Sequence, residues 1–462
     1  MKTLALAIRN LLRNRRRSIT TLLAMIVGAH AVLLFGGYTR NITYGLQTDY
    51  VKYGGHLQIE RAGYYQFGSG NPAEYGIANY REIIDALKSD PVLAPMVLVV
   101  TPTLQLQGIA GNFKQGVSRT ALALGVLVND QNRMREWNDY HFPVTVPPLA
   151  LTRTETDAAI VGMGLARVLQ LCGQLHVRDC APQTNPTANA GPGLPADVAQ
   201  LARTTQAAPT SASQQSTIEL LAATARGAPN VAELHVVKAE QQGIKEYDDM
   251  YVGLHLAQAQ RLVYGGDQPK ATAIVVQLAH TGDMPAAKAR IEILLTTKFK
   301  REETEVVDYT TLNPFYGQAL AMFATLFGFI ALLIAAIVLF TVGNTMSMAV
   351  FERTVEIGTL RAMGLRREGV RRLFMCEGLL LGVLGASLGV LSAAALAAVI
   401  NHSGLSWTPP GRSPVPLIIR VWGENDLIAG TAIGLLLVSM LSALFPARRA
   451  SHMNIVDALR YA

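Results

Sequence analysis

The chain has 462 residues, half of them hydrophobic and only 16% charged, with a formal net charge of +7. With a positive mean hydropathy, that balance excludes an average soluble enzyme. The basic excess gathers beside apolar runs, so it reads as membrane topology, and no nucleic acid is expected as a partner.

In chain order, Lys2, Arg9, Arg13, Arg15, Arg16 and Arg17 come first. Leu4, Ile8, Leu11 and Leu12 share one helical face among them, which predicts an amphipathic helix over 1–17 lying on membrane lipid. Residues 18–38 carry no charge and are long enough for a first transmembrane helix, since about 20 residues span the hydrocarbon core. "AHA" at 29–31 resembles a signal cleavage site, yet the apolar run continues to Gly37, so an uncleaved anchor is expected. His30 is expected to be a packing histidine bonded to a neighbouring carbonyl.

Residues 39–315 then mix strand and helix signals. "HLQIE" (56–60), "VAELHVVKA" (231–239) and "ATAIVVQLA" (271–279) read as strands. "NYREIIDALKS" (79–89), "LHLAQAQRLVYG" (254–265) and "DMPAAKARIEILLTTKF" read as helices, the last with Asp283 as N-cap. Together they suggest small α+β subdomains. Cys172 and Cys180 are either a small-loop disulfide or two free thiols. Residues 181–230 change to Ala, Pro, Thr, Gln, Ser and Gly without aromatics, which predicts a flexible insertion.

A second span and helical stalk are expected over 316–350, a third span over 377–400 and a fourth over 427–445. Arg353, Arg361, Arg366, Arg367, Arg371 and Arg372 lie in the 351–376 loop, and Arg448, Arg449 and Arg460 in the tail, 446–462. With the basic N-terminal segment, they place loop, tail and N-terminus in the cytoplasm, and 39–315 and the 401–426 loop outside.

Within 351–376, Ile357, Leu360 and Met363 recur at a spacing of three and form an apolar ridge. Glu352, Arg353, Glu356 and Arg361 surround it, and Gly364 ends the short helix. A knob of this kind suits a cleft in a soluble partner, although composition alone leaves an ordinary basic loop equally open. Gly378, Gly382, Gly385 and Gly389 predict a face of the third span that meets another helix closely. "GASLG" matches a nucleophile-elbow pattern around Ser387, but inside an apolar helix it lacks the strand–turn–helix that motif needs. No catalytic residue and no metal-ligand spacing is identified.

Several stretches resemble one family: "GGHLQIERAGYY", "AAIVGMGLARVLQL", "GIKEYDDMYVGLHLAQAQRLVYG", "LNPFYGQAL", "GNTMSMAVFERTVEIGTLRAMG" and "PARRASHMNIVDALRY". Together they resemble the MacB/FtsX-like permeases of ABC transporters, closest to the lipoprotein-releasing LolC/LolE branch. The resemblance implies an α-helical membrane protein with four transmembrane helices. It also implies a large external α+β domain, MacB-like and periplasmic, between the first and second. Glu352, Arg353, Glu356, Ile357, Gly358, Leu360, Arg361, Ala362, Met363 and Gly364 would form the ATPase-coupling interface. The phosphate-loop pattern G-x-x-x-x-G-K-[ST] is missing, unlike in MacB. The chain would therefore hold no cofactor, with ATP and Mg bound by a separate cytoplasmic ABC ATPase dimer. Further implied partners are a second permease copy or paralogue, a periplasmic protein or lipoprotein, and the lipid of a bacterial inner membrane. Two other readings are a regulator of a periplasmic cell-wall hydrolase and a membrane-anchored hydrolase using Ser387 or a residue of the external domain.

Overall fold

The computed structural model describes residues 2–13, 15–142, 146–177, 180, 216–242, 245–300, 302–407 and 415–456. The chain divides into two compact units, one drawn from Met1–Leu46, Phe315–Pro409 and Ser413–Ala462, the other from Gln47–Pro314.

The first unit begins with α1 (Lys2–Arg13) and α2 (Arg15–Gly54). The amphipathic helix expected over 1–17 therefore stops at Arg13, and Arg15, Arg16 and Arg17 open the long helix instead. Its apolar side is also divided. Ala7 is buried and Leu11 packs on the helical bundle, whereas Ile8 and Leu12 are exposed.

The second unit is an α/β structure. Its strands are β1 (Leu57–Arg61), β2 (Val97–Asn112), β3 (Val117–Val126), β4 (Ala158–Gly162), β5 (Thr217–Ala223), β6 (Pro229–Glu240), β7 (Tyr251–His255), β8 (Ala273–Leu278) and β9 (Thr304–Asp308). Its longer helices are α3 (Tyr80–Ser89), α4 (Val128–Arg135), α5 (Leu256–Tyr264) and α6 (Met284–Lys298). The described strands form one sheet of order β3-β7-β4-β6-β5-β2-β8-β1-β9, and β3 also pairs with β2. The run β2-β5-β6-β4-β7-β3 therefore closes on itself. This is possible because β2 is 16 residues long: its first part pairs with β8 and its last part with β5.

Two cores result, as the expectation of α+β subdomains requires. Leu104, Leu106, Val161, Leu220, Leu234 and Leu254 of the closed run pack with Leu262 and Val263 of α5. Beyond it, Leu57, Ile59, Ile274 and Val276 pack under Ile83 and Leu87 of α3 and Ile291 and Leu294 of α6. Asp283 does precede α6, but its side chain makes no capping bond. The insertion expected over 181–230 must be shortened. Residues 181–215 lie outside the described residues, while Thr217–Ala223 is a strand with alternating burial, paired with β2 and β6. Ile218, Glu219 and Leu220 alternate as a strand does, but Leu221 and the two alanines after it interrupt the pattern. Cys172 and Cys180 are joined by a disulfide.

The first unit resumes with α7 (Pro314–Glu352), α8 (Thr354–Ala362), α9 (Arg367–His402) and α10 (Asn425–His452). Among the described residues, α2, α7, α9 and α10 are the helices long and apolar enough to cross a membrane. The long helices outrun their apolar stretches: α10 continues through Pro446 to His452, within the expected tail.

Helix α9 packs between α2 and α10, and its glycines explain how. A Cβ on Gly378 would lie 2.6 Å from Ala443 Cβ, and one on Gly382 3.2 Å from Ser439 Cβ, both on α10. A Cβ on Gly385 would meet Met25 Sδ at 2.8 Å, and one on Gly389 Ala29 Cβ at 2.5 Å, both on α2. One glycine row thus serves two neighbours, and Ser439 Oγ donates to the Gly378 carbonyl at 2.7 Å. In lipid, where burial gives helices no reason to associate, such close approach is what holds them.

Candidate functional site

The site lies where α7 ends. Arg353 leaves helical geometry (φ −108°, ψ 17°), so the break falls there rather than at the Glu356-Ile357-Gly358 run that follows. Thr354 Oγ1 donates to the Val350 and Phe351 carbonyls at 3.2 and 2.8 Å, satisfying the end of α7. After nine residues α8 is stopped by Gly364 at φ +97°. The Gly364 N–H donates to the Arg361 carbonyl and the Leu365 N–H to the Leu360 carbonyl, both at 3.1 Å. This pair of bonds is the Schellman stop, and it fits the terminating role expected of Gly364.

The ridge predicted from Ile357, Leu360 and Met363 is twisted across two faces. Ile357 is buried against Val350, Val370, Phe374, Ala447 and Ala450, and Gly358 is buried as well. Leu360 and Arg361 are half-buried. Met363 is 71% exposed, with Val355, Thr359, Ala362 and Leu365 also open. Ile357 therefore anchors α8 inward, and the outward surface is carried by Val355, Thr359 and Met363.

The charges expected to rim the helix are paired within the chain. Arg353 Nη1 donates to Glu377 Oε1 of α9 at 3.0 Å, and its Nη2 to the Asn10 carbonyl of α1 at 3.1 Å. Asn10 Nδ2 closes the triangle by donating to Glu377 Oε1 at 2.6 Å. Arg13 Nη2 donates to both carboxylate oxygens of Glu356 at 2.8 and 2.9 Å. Arg17 of α2 holds Glu352 by two bonds. Arg361 donates to the Met453 carbonyl just past α10, and the Arg449 guanidinium lies 4.9 Å from the Phe351 ring centre. Helix α8 is thus tied to α1 through Glu356 and to the end of α10 through Arg361, while the junction before it is held by α1, α2 and α9.

Asn10, Arg13, Arg17 and Glu377 were not identified from the sequence as its partners. Glu377 gave a signal: a carboxylate at the entry to an apolar run needs a counter-charge, and Arg353 supplies it. The other expected features fall within the bundle. His30 Nδ1 lies 2.7 Å from the Ile26 carbonyl, as anticipated, and Ser387 Oγ donates to the Val383 carbonyl within its own helix at 2.7 Å.

Four apolar helices with a short helix between the second and third define a polytopic membrane protein. Residues 326–455 match the FtsX-like permease C-terminal family, so the chain contains an FtsX-like permease domain and is related to ABC transporter permeases.

It is 29% identical over 243 residues to the lipoprotein-releasing system transmembrane protein LolC of Neisseria meningitidis, covering 50% of this chain and 56% of that one. It is 32% identical over 149 residues to the ABC transporter permease YtrF of Bacillus subtilis, covering 29% and 30%. To the macrolide export ATP-binding/permease protein MacB of a Shewanella species it is 27% identical over 186 residues, covering 40% and 26%. The chain spans about half the length, or less, of these curated relatives.

Proposed function

We propose that this chain is the non-catalytic permease subunit of an ABC-type machine in a bacterial inner membrane. A separate cytoplasmic ATPase, holding ATP and Mg, docks on α8. Its stroke is carried outward through α7 to the α/β unit, which acts on a periplasmic protein, with lipoproteins the cargo suggested by the name of its relative LolC. The observation that carries this reading is the construction of α8. It is short, sharply stopped, outwardly apolar at Val355 and Met363, and fixed to its own bundle by a buried ion pair. A surface braced in this way passes displacement on rather than absorbing it. A helix of 39 residues such as α7 extends about 58 Å, more than a bilayer core is thick.

The test is a photo-crosslinking residue at Met363 or Val355 in the native membrane, with the lipid-facing position Leu391 as control. The expected product at the first two positions is an ATPase adduct that Leu391 does not give. Adducts to a periplasmic protein from Met363 would invert the topology and end the proposal.

A further inference from the structure

Helix α1 presents two chemically different sides. Inward, Ala7 and Leu11 pack on the bundle and Asn10 bonds Glu377. Outward, Leu6, Ile8 and Leu12 are exposed, Leu12 by 60%. Arg9 on α1 and Arg15 and Arg16 at the start of α2 flank them, and none meets a carboxylate among the described residues, although Arg15 Nε donates to the Leu12 carbonyl at 3.3 Å and Arg13 and Arg17 are paired with Glu356 and Glu352. Exposed aliphatic side chains beside guanidinium groups that have no carboxylate partner are complementary to an anionic bilayer surface, where acyl chains lie directly beneath phosphates. A water-facing role would leave the exposed aliphatic side chains without a counterpart.

We infer that α1 is an arm that binds anionic phospholipid and thereby fixes α8. Arg9, Arg15 and Arg16 meet lipid phosphates while Ile8 and Leu12 enter the acyl layer. The seated arm holds α8 through Arg13–Glu356 and through the Asn10–Glu377–Arg353 triangle. Lipid charge then sets how firmly the helix beside it is held. This goes beyond the coupling reading and does not depend on which partner α8 meets.

The experiment uses the full chain in nanodiscs of phosphatidylcholine, with or without phosphatidylglycerol. A fluorophore on Leu12→Cys, with the free thiol of Cys376 removed by Cys376→Ala, reports depth through an acyl-chain quencher, and amide exchange over 354–362 reports α8. Anionic discs should deepen the probe and slow α8 exchange at least severalfold. Each Arg→Gln change at Arg9, Arg15 or Arg16 should weaken the lipid effect about fivefold, equivalent to about 1 kcal/mol per basic residue. Asn10→Ala with Arg13→Gln should leave the probe deep while reducing the slowing of α8 severalfold, the Arg353 bond to the residue-10 carbonyl remaining. In the unaltered chain, salt near 1 M, where the screening length is about 3 Å, should erase the difference between discs without any variant. A probe that stays water-exposed in anionic discs, or α8 exchange indifferent to lipid charge, overturns the inference. So does a probe shielded only in a copurified protein complex, which would assign the arm to a protein partner.

Discussion

The Arg353 guanidinium and the Glu377 carboxylate meet at 3.0 Å with side chains only 6% and 3% exposed, joining the residue just past α7 to the third turn of α9. Removing one member of such a pair leaves the other charged and buried, which costs about 3–5 kcal/mol, whereas replacing both by apolar residues is often neutral. Arg353→Met and Glu377→Leu should therefore each lower the thermal midpoint of the purified chain sharply, and the double variant should recover most of the loss. Additive losses in that cycle would show that the two side chains do not depend on each other.

The pairing also marks the limit of what the sequence made legible. The four apolar runs were readable because lipid demands length and apolarity from local sequence alone. Gly364 was readable because a helix stop is local chemistry. Asn10 lies 367 residues from Glu377, and Arg13 343 from Glu356, so no local pattern could join them. The ridge misjudgement has a simpler cause. Steps of three residues drift about 60° each on a helix, so Ile357 and Met363 stand about 120° apart, one inward and one outward. In the α/β unit the closed strand run depends on β2 changing partners midway, which residue periodicity cannot reveal.

The glycine row of α9 predicts position-specific tolerance. Gly389→Val would drive side-chain atoms into Ala29 and Gly378→Val into Ala443, at sites where even a Cβ stands 2.5 and 2.6 Å from its neighbour. Losses of about 1–3 kcal/mol are expected from such overpacking. Gly430→Ala and Gly434→Ala, on the other hand, meet nothing within 4 Å and should be silent. Thermal unfolding in detergent reads the contrast, and equal effects at all four positions would contradict the packing described for α9.

The α/β unit holds two buried groups with opposite pH behaviour. Burial pushes the Glu60 carboxyl from 4.5 to about 7, with Glu305 directly across the strand pair adding its charge. Burial pulls His56 from 6.5 to about 4, opposed by Asp139, while its Nδ1 accepts from the Leu278 N–H. Glu60 binds its proton more tightly when folded, so its contribution is complete below 4.5 and lost as pH rises through 7. His56 binds its proton less tightly when folded, so its contribution is complete above 6.5 and lost as pH falls toward 4. Between 4.5 and 6.5 the two slopes cancel. Glu60→Gln should unmask the histidine, giving stability that climbs with pH by on the order of 3 kcal/mol. His56→Gln should unmask the opposite slope. Unfolding of the α/β unit followed across pH measures both, and a Glu60→Gln profile parallel to the unaltered one would remove Glu60 from the account.

Gly364 isolates the backbone contribution to the candidate site. A Cβ there meets nothing within 4 Å, so substitution acts through the left-handed conformation alone. Alanine should cost about 1–2 kcal/mol, asparagine less because its side chain tolerates that region, and valine most because it is β-branched. The order Gly, Asn, Ala, Val should appear in the amide protection of α8, whose last bonds run from Gly364 to Arg361 and from Leu365 to Leu360. It should appear in the same sequence in the yield of crosslinks from Met363, since a frayed stop releases the outward surface from its brace. Protection that falls in this order while the crosslink yield stays constant would separate the Schellman stop from partner docking, and would place the docking determinants wholly in the side chains of Val355, Thr359 and Met363.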